Sequence, residues 1–358
     1  MPEKSRVYIC HTFYHVYIAC LKEFYINDGA KADLILSKMS SRFGSLVDRA
    51  KESPIFDDIY EFDEKEYTEF PDLVELKKDT GNIVGNMIKR IRYCKMLAKH
   101  TEAAVPVDLR KYSDIYVFCD SDPIGYYLNY RKIRYHAVED GLNCIAFYDT
   151  ARYDNRGAFK IKALMASLGL IHMQNGYGRY CIDMEVNNIS MLKYPTKNMV
   201  ELPRERLTER LTSDEKNMLI KLFISNLEEL KEKLRTSPDA PTLLVLTEPL
   251  CDMETRERIF KDIIGMYHVI DGKEATVILK QHPRDYLDYK KLFPDTVLLD
   301  GTFPMEMLNY IEGLSFDLLV SVYTQLDSIK FAKEKILLND DFMDKYEAPE
   351  IHRQNEAI

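Results

Sequence analysis

Short apolar runs alternate with helically spaced apolar positions along most of the chain. Val7-Tyr8-Ile9-Cys10 is a continuous apolar run that predicts a buried strand, and residues 15–27 follow with Val16, Ile18, Ala19 and Leu21 at helical spacing. Further strands are predicted at 34–36, 59–62, 115–118 and 135–138. A helix is predicted over 83–100, carrying Lys89, Arg90, Arg92, Lys95 and Lys99. The acidic stretch 63–75 reads as a solvated loop or surface helix. Strands without strict alternation, interleaved with helices, predict a parallel sheet covered on both faces.

The pattern breaks between 189 and 212, a polar segment with Pro195 and Pro203. It resumes at Thr212-Ser213-Asp214-Glu215, which has the form of a capping box, followed by Met218, Leu219, Leu222, Phe223, Leu227 and Leu230. Beyond a linker-like turn at 236–241, strands are predicted at 243–246, 275–279, 297–299 and 318–320. Helices are predicted at 253–266, 305–311 and 326–332, and the polar tail beyond Asp344 reads as loose. The expected fold class is α/β, two Rossmann-like domains with a cleft between them. The expected division is an N-terminal domain over 1–195, a crossover and linking helix over 196–240, a C-terminal domain over 241–345 and a tail over 346–358. Open α/β sheets bind ligands beyond the carboxyl ends of their strands, so residues just after strands are the candidates for chemistry.

Composition narrows the class. With 358 residues the chain suits two domains at about 100–200 residues each. Hydrophobic residues at 46% and charged residues at 30% exclude a largely disordered chain, and a net charge of -9 argues against a nucleic-acid binder. The 7 cysteines are scattered without a C-x-x-C pair, which reads as free thiols in a reducing compartment. The opening residues show no signal-peptide pattern, and the most apolar early stretch, 7–26, contains His11, His15, Lys22 and Glu23. The expectation is a cytoplasmic chain. Its basic segments 83–100 and 159–168 are either solvated faces or peripheral contacts with an anionic membrane. P-loop, dinucleotide-fingerprint, hydrolase-elbow and zincin motifs are absent from the sequence.

Six strand ends carry candidate chemistry. Glu139-Asp140-Gly141 follows the strand at 135–138 and offers a carboxylate base or a simple turn. Lys280-Gln281-His282-Pro283-Arg284 follows the strand at 275–279; His282 suits an acid near neutral pH, Lys280 and Arg284 suit phosphate, and Pro283 restricts the backbone of His282. Asp120-Ser121-Asp122 reads as a divalent-cation ligand pair or as loop capping. Asp252, after Thr247-Glu248-Pro249, reads as a helix N-cap or a cleft carboxylate. Ser321-Val322-Tyr323-Thr324 offers hydroxyls and a helix N-terminus as a phosphate cradle, or plain capping. His11 and Thr12, after the first strand, are ligand-contact candidates, whereas His15 reads as a packing residue.

Together and in this order these motifs resemble bacterial sialyltransferases, and most closely glycosyltransferase family 52, over about residues 6–335. The opening Ile9-Cys10-His11-Thr12-Phe13-Tyr14-His15 is similar to that family's first strand, loop and helix. Glu139-Asp140-Gly141 matches an acidic-acidic-Gly motif, and His282-Pro283 matches a His-Pro motif. Phe303-Pro304-Met305-Glu306 resembles a segment near the nucleotide ribose. Tyr323-Thr324 stands where a Ser-Ser or Ser-Thr pair is usual. The resemblance implies a GT-B fold and an inverting, metal-independent transfer of sialic acid from CMP-sialic acid to a galactose-type hydroxyl of a bacterial surface glycan. It implies Asp140 or Asp252 as base, His282 as the acid at the departing phosphate, and Glu139, Gly141, His11, Thr12, Pro283, Lys280, Glu306, Ser321, Tyr323 and Thr324 as substrate contacts. No cofactor or metal is implied. The partners implied are a nucleotide-sugar donor and a glycan acceptor, with a homodimer as the suggested assembly. A related transferase with another donor such as a glucosyl nucleotide, a metal-dependent GT-A enzyme, and a non-catalytic subunit of polysaccharide assembly remain open alternatives.

Overall fold

The computed structural model describes residues 4–140, 158–191, 196, 198–235, 237 and 239–352. The chain divides into two compact units, Met1–Leu211 and Thr212–Ile358.

The first unit is built on a 7-stranded sheet in the order β3-β2-β1-β4-β5-β6-β7. The strands are β1 Lys4–Cys10, β2 Ala32–Ser37, β3 Phe56–Phe62, β4 Tyr112–Val117, β5 Tyr135–Val138, β6 Cys181–Val186 and β7 Met199–Glu201. Every pairing is parallel. Helices α1 Phe13–Ile26, α2 Leu46–Glu52, α3 Pro71–Lys77, α4 Ile83–Glu102 and α5 Pro123–Arg131 accompany it. Central β1 and β2 are buried on both faces, which is why their sequences lack polar alternation. Strands β6 and β7 fall in and beside the segment where the pattern breaks. β7 is only 3 residues long, too short to show a period. The stretch expected as a crossover, 196–240, is thus shared: β7 and the helix Arg204–Thr208 belong to the first unit.

The second unit carries a 5-stranded parallel sheet, β12-β11-β8-β13-β14, and a 2-stranded hairpin. Its strands are β8 Thr242–Leu246, the hairpin β9 Val269–Ile270 and β10 Lys273–Glu274, then β11 Thr276–Lys280, β12 Val297–Leu299, β13 Phe316–Ser321 and β14 Ala332–Leu337. The capping box forms: Thr212 Oγ1 accepts from the Glu215 N–H at 3.2 Å and Glu215 Oε2 from the Thr212 N–H at 2.7 Å. That helix stops at Phe223, and a second, capped by Asn226, runs Leu227–Lys233. Two expectations are corrected. Residues 326–332 are not helical; the connection 322–331 is irregular and leads straight into β14, whose mixed Ala-Lys-Glu-Lys-Ile-Leu sequence suits an edge strand. The tail is not loose where described: Tyr346 packs against the core and donates to Asp262 at 2.7 Å, and Pro349–His352 is a short helix.

Gly125 marks the tightest approach in the first unit. A Cβ there would lie 1.8 Å from the Asp120 carbonyl oxygen and 2.8 Å from His172 Nε2. Backbone cannot yield as a flexible side chain can. Gly125→Ala is therefore expected to lower stability by at least ~1–3 kcal/mol, read as a fall in the thermal midpoint; an unchanged midpoint would show that α5 is free to move.

Candidate functional site

In each sheet the strand order reverses at one place, between β1 and β4 in the first unit and between β8 and β13 in the second. The polar constellations sit at these reversals and at the neighbouring strand ends.

In the first unit His11 follows β1 directly and is wholly buried. Its Nε2 lies 2.7 Å from Glu64 Oε1 and 3.6 Å from Asp122 Oδ2. Burial opposes a charge on His11, but Glu64 outweighs it and raises the imidazole pKa. Glu64 also accepts from the Ile124 N–H at 2.7 Å, tying the loop after β3 to the start of α5. The stretch 63–75 is thus not solvated throughout, because Glu64 is fully buried. Thr12 caps α1 by accepting from the His15 N–H at 3.2 Å.

His15 does more than pack. Its Nδ1 accepts from the His11 N–H at 3.0 Å, so the ring proton sits on Nε2, which bonds Asp140. The ring stacks on Phe118 at 4.7 Å between centroids. Burial holds His15 below its usual pKa, in its neutral form. Burial works against the Asp140 charge, yet the hydrogen bonds from His15 and Cys119 outweigh it and hold the carboxyl below its usual range. Asp140 is an ionised, partly exposed carboxylate with a fixed orientation. Glu139 is turned the other way: it is buried, and its Oε2 accepts from the Asn187 N–H at 2.6 Å. Burial raises its pKa. Gly141 lies outside the described residues.

Asp120 acts as a staple. Its carboxylate accepts from the Asn175 N–H at 2.8 Å and the Tyr135 hydroxyl at 3.1 Å, and its carbonyl from His172 Nε2 at 2.6 Å. His11, His15 and Cys119 place ligand atoms within 4.8 Å of one another. Both His15 nitrogens are already engaged, so a metal there would have to break a His15 hydrogen bond, whereas His11 Nδ1 is buried with no partner among the described residues. The second acidic group, Asp33, Asp57 and Asp58, is occupied by the Lys4 ammonium.

In the second unit the reversal holds a buried carboxylate that the sequence reading passed over in favour of Asp252. Glu248 accepts from Ser321 Oγ at 2.8 Å, from the Tyr323 and Thr324 N–H groups at 3.1 and 2.9 Å, and from Thr324 Oγ1 at 2.9 Å. The cradle expected for phosphate is filled by this carboxylate, and no helix starts there because 322–331 is irregular. The Tyr323 hydroxyl points to Asp340, 2.7 Å away. Asp252 is exposed and caps the helix Met253–Tyr267, its two oxygens accepting from the Thr255 N–H at 2.9 Å and Thr255 Oγ1 at 3.1 Å. Those bonds hold its pKa below the usual range.

At the end of β11 the His282 N–H donates to Thr247 Oγ1 at 3.1 Å, and its Nδ1 accepts from the Arg284 N–H at 3.1 Å. The neutral ring therefore carries its proton on Nε2. Burial, reinforced by Arg284, lowers its pKa to about 4. Pro283 packs against Gly301, where a Cβ would lie 2.8 Å from Pro283 Cα. Lys280 is buried, donating to the Asp300 carbonyl at 2.5 Å with its ammonium 4.2 Å from the Phe303 ring centre. Burial brings its pKa down to about 8 and raises that of buried Glu306. Arg256, which carried no motif, joins two loops. It donates to the Leu250 and Cys251 carbonyls at 2.7 and 3.0 Å and to Asp285 at 2.8 Å. Cys251 itself sits in the left-handed region at φ 45°.

The sequence profile of Glycosyltransferase family 52 matches residues 58–335. An uncharacterized protein of Haemophilus influenzae is 28% identical over 98 residues, which are 26% of this chain and 30% of that protein. The chain thus aligns with under a third of that relative's length. Among solved structures, the GT-B domain of a sialyltransferase from Photobacterium damselae superposes with a TM-score of 0.48 at 13% identity, covering 93% of this chain and 90% of that one. A UDP-GlcNAc 2-epimerase from Neisseria meningitidis gives 0.44 at 10% identity, covering 90% and 78%.

A His282 pKa near 4 has two readable consequences. The His282 ring resonance, followed by NMR, should titrate with a midpoint near 4, and a midpoint at 6–7 would refute the desolvated environment. Since the unfolded imidazole binds its proton at about 6.5, the stability tied to neutral His282 is present above that pH and is lost as pH falls through about 4.

Proposed function

We propose that this chain, which belongs to glycosyltransferase family 52, transfers sialic acid from CMP-sialic acid to a galactose-type hydroxyl of a bacterial surface glycan, with inversion and without a metal. The observation that carries the reading is His282: a neutral imidazole at a strand end, its Nδ1 tied to the backbone and its Nε2 proton bonded to none of the described residues. Such a group donates to the phosphate of a departing CMP and offsets the charge that builds there. A carboxylate takes the acceptor proton. Asp140 suits that role better than Asp252, being partly exposed and oriented by His15, whereas both Asp252 oxygens are spent on a helix cap. The metal-free reading is supported by Asp120, whose oxygens serve the Asn175 N–H and the Tyr135 hydroxyl.

Glu248 already occupies the Ser321 and Thr324 cradle, so a donor phosphate bound there must displace a buried carboxylate.

No helix among the described residues is long and apolar enough to cross a membrane. We extend the proposal to a peripheral membrane contact. Exposed Ile83, Val84 and Ile88 lie on α4, which also carries five Lys and Arg residues, and exposed Ile161 and Leu164 lie on the helix Phe159–Ser167 beside Lys160 and Lys162. The Ile83→Ser/Val84→Ser double variant should lose co-sedimentation with anionic phosphatidylglycerol vesicles; unchanged binding, or none by the parent protein, refutes the contact.

CMP release from CMP-sialic acid with a lactose-type acceptor should persist in EDTA. It should fall about 10²–10⁴-fold in His282→Ala and by a similar factor in Asp140→Asn. Loss of activity with EDTA, or turnover only with another donor, would replace the sialyl reading. A larger loss in Asp252→Asn than in Asp140→Asn would move the base to the second unit.

A further inference from the structure

Among the described residues the other buried cations each meet an acceptor, Lys280 the Asp300 carbonyl and three others carboxylates. Arg6 donates to Glu23 at 2.8 Å and to Asp28 at 2.6 Å, Lys22 to Glu185, and Arg256 to Asp285 at 2.8 Å. Arg204 departs from that pattern. It begins the helix Arg204–Thr208, and its backbone N–H donates to Asn187 Oδ1 at 2.8 Å. The Asn187 N–H donates in turn to Glu139 at 2.6 Å, so Arg204 is fixed against the carboxyl ends of β5 and β6. Its Nε, Nη1 and Nη2 are all shielded from solvent, and none has a hydrogen-bond partner among the described residues.

An arginine side chain stays protonated and offers five N–H donors in a planar fork. Leaving that fork buried and unpaired is costly, and nearby groups do not relieve it. Glu139 spends an oxygen on Asn187, Lys22 is itself cationic, and His15 is committed to Asp140. The Arg204 charge reaches all three: it adds to the downward shift that burial gives Lys22 and His15, and works against the upward shift that burial gives Glu139. Carboxylates lie nearby at Glu139, Glu185 and Asp140, each held by another partner, and the N–H donors of the Arg204 fork are left without a hydrogen-bond acceptor among the described residues. A group with two coplanar oxygens and a negative charge completes them.

We infer that the Arg204 guanidinium is a recognition site for an oxyanion of the substrate, a carboxylate or phosphate held through paired N–H donors at the strand ends beside Asp140. The sialyl transfer proposed above makes the sugar's own carboxylate the first source to test, and only that identification rests on it.

The test uses the full-length protein and three probes: N-acetylneuraminic acid, its methyl ester and inorganic phosphate. The thermal midpoint should rise by several degrees with N-acetylneuraminic acid at about 100 times its dissociation constant, and not with the methyl ester. Arg204→Met should abolish that rise while matching or exceeding the parent's midpoint without ligand, because it removes an unpaired buried charge. It should also raise the donor KM about 10–100-fold with a smaller effect on kcat. Arg204→Lys keeps the charge without the fork and should bind the anion at least about tenfold more weakly. A rise with phosphate alone, lost in Arg204→Met, supports the site and removes the sialyl carboxylate as its source. The inference is overturned if Arg204→Met unfolds or loses several degrees without ligand, for then the charge is paired inside the protein. It is equally overturned if neither anion shifts the parent, or if Arg204→Met turns over CMP-sialic acid with an unchanged KM; this last outcome leaves the transferase reading intact.

Discussion

Two parallel sheets whose central strands are buried on both faces leave the chain little room for polar groups there except where strands end. There the loops expose backbone N–H groups, and each must find an acceptor. This protein meets that demand with buried carboxylates. Glu64 serves Ile124, Asp120 serves Asn175, Glu139 serves Asn187, and Glu248 serves Tyr323 and Thr324. Each draws together two segments far apart in sequence. Asp285 does the same for side chains, receiving Arg256 and the Tyr289 hydroxyl at 2.8 and 2.6 Å. The loops that carry chemistry are therefore set by charge satisfaction within the edge of each sheet.

The same economy shapes the chemistry of the site. Acids used as staples cannot also serve as bases, and Glu139, Asp120 and Glu248 are all so used. Asp140 differs because its partners are the neutral imidazole of His15 and the Cys119 thiol, which orient it while it stays partly exposed. His282 is shaped by the opposite shortage. It has cations nearby and little solvent, so it stays neutral and presents one proton. A neutral donor suits a phosphate that arrives already charged, since no proton need be taken up first.

Much of the architecture was legible. β5 and β12 have the bounds that the apolar runs predict, and the capping box at Thr212 forms as its spacing requires. The failures share a cause. β7 is too short for a period, β14 is an edge strand with lysine and glutamate in it, and residues 326–332 have helix-like apolar spacing but cross between β13 and β14 as an irregular link. At the site, strand-end placement singled out Asp140 and His282. It gave no sign of Glu64, Glu248 or Arg256 as organisers, because a carboxylate in an acidic stretch and one that satisfies buried N–H groups look alike in one dimension.

The amino-acid order alone determined two α/β units, most of their strands, the family resemblance and the motif residues, because these follow from local periodicity and short spacings. Only the tertiary structure decided which polar residues were already spent. Glu248 fills the Ser321 and Thr324 cradle, Lys280 turns to the Asp300 carbonyl, His15 holds Asp140, and Arg204 is left without an acceptor among the described residues. The physical reason is that hydrogen-bond satisfaction and desolvation depend on partners 20 to 125 residues away, a separation that no local pattern encodes.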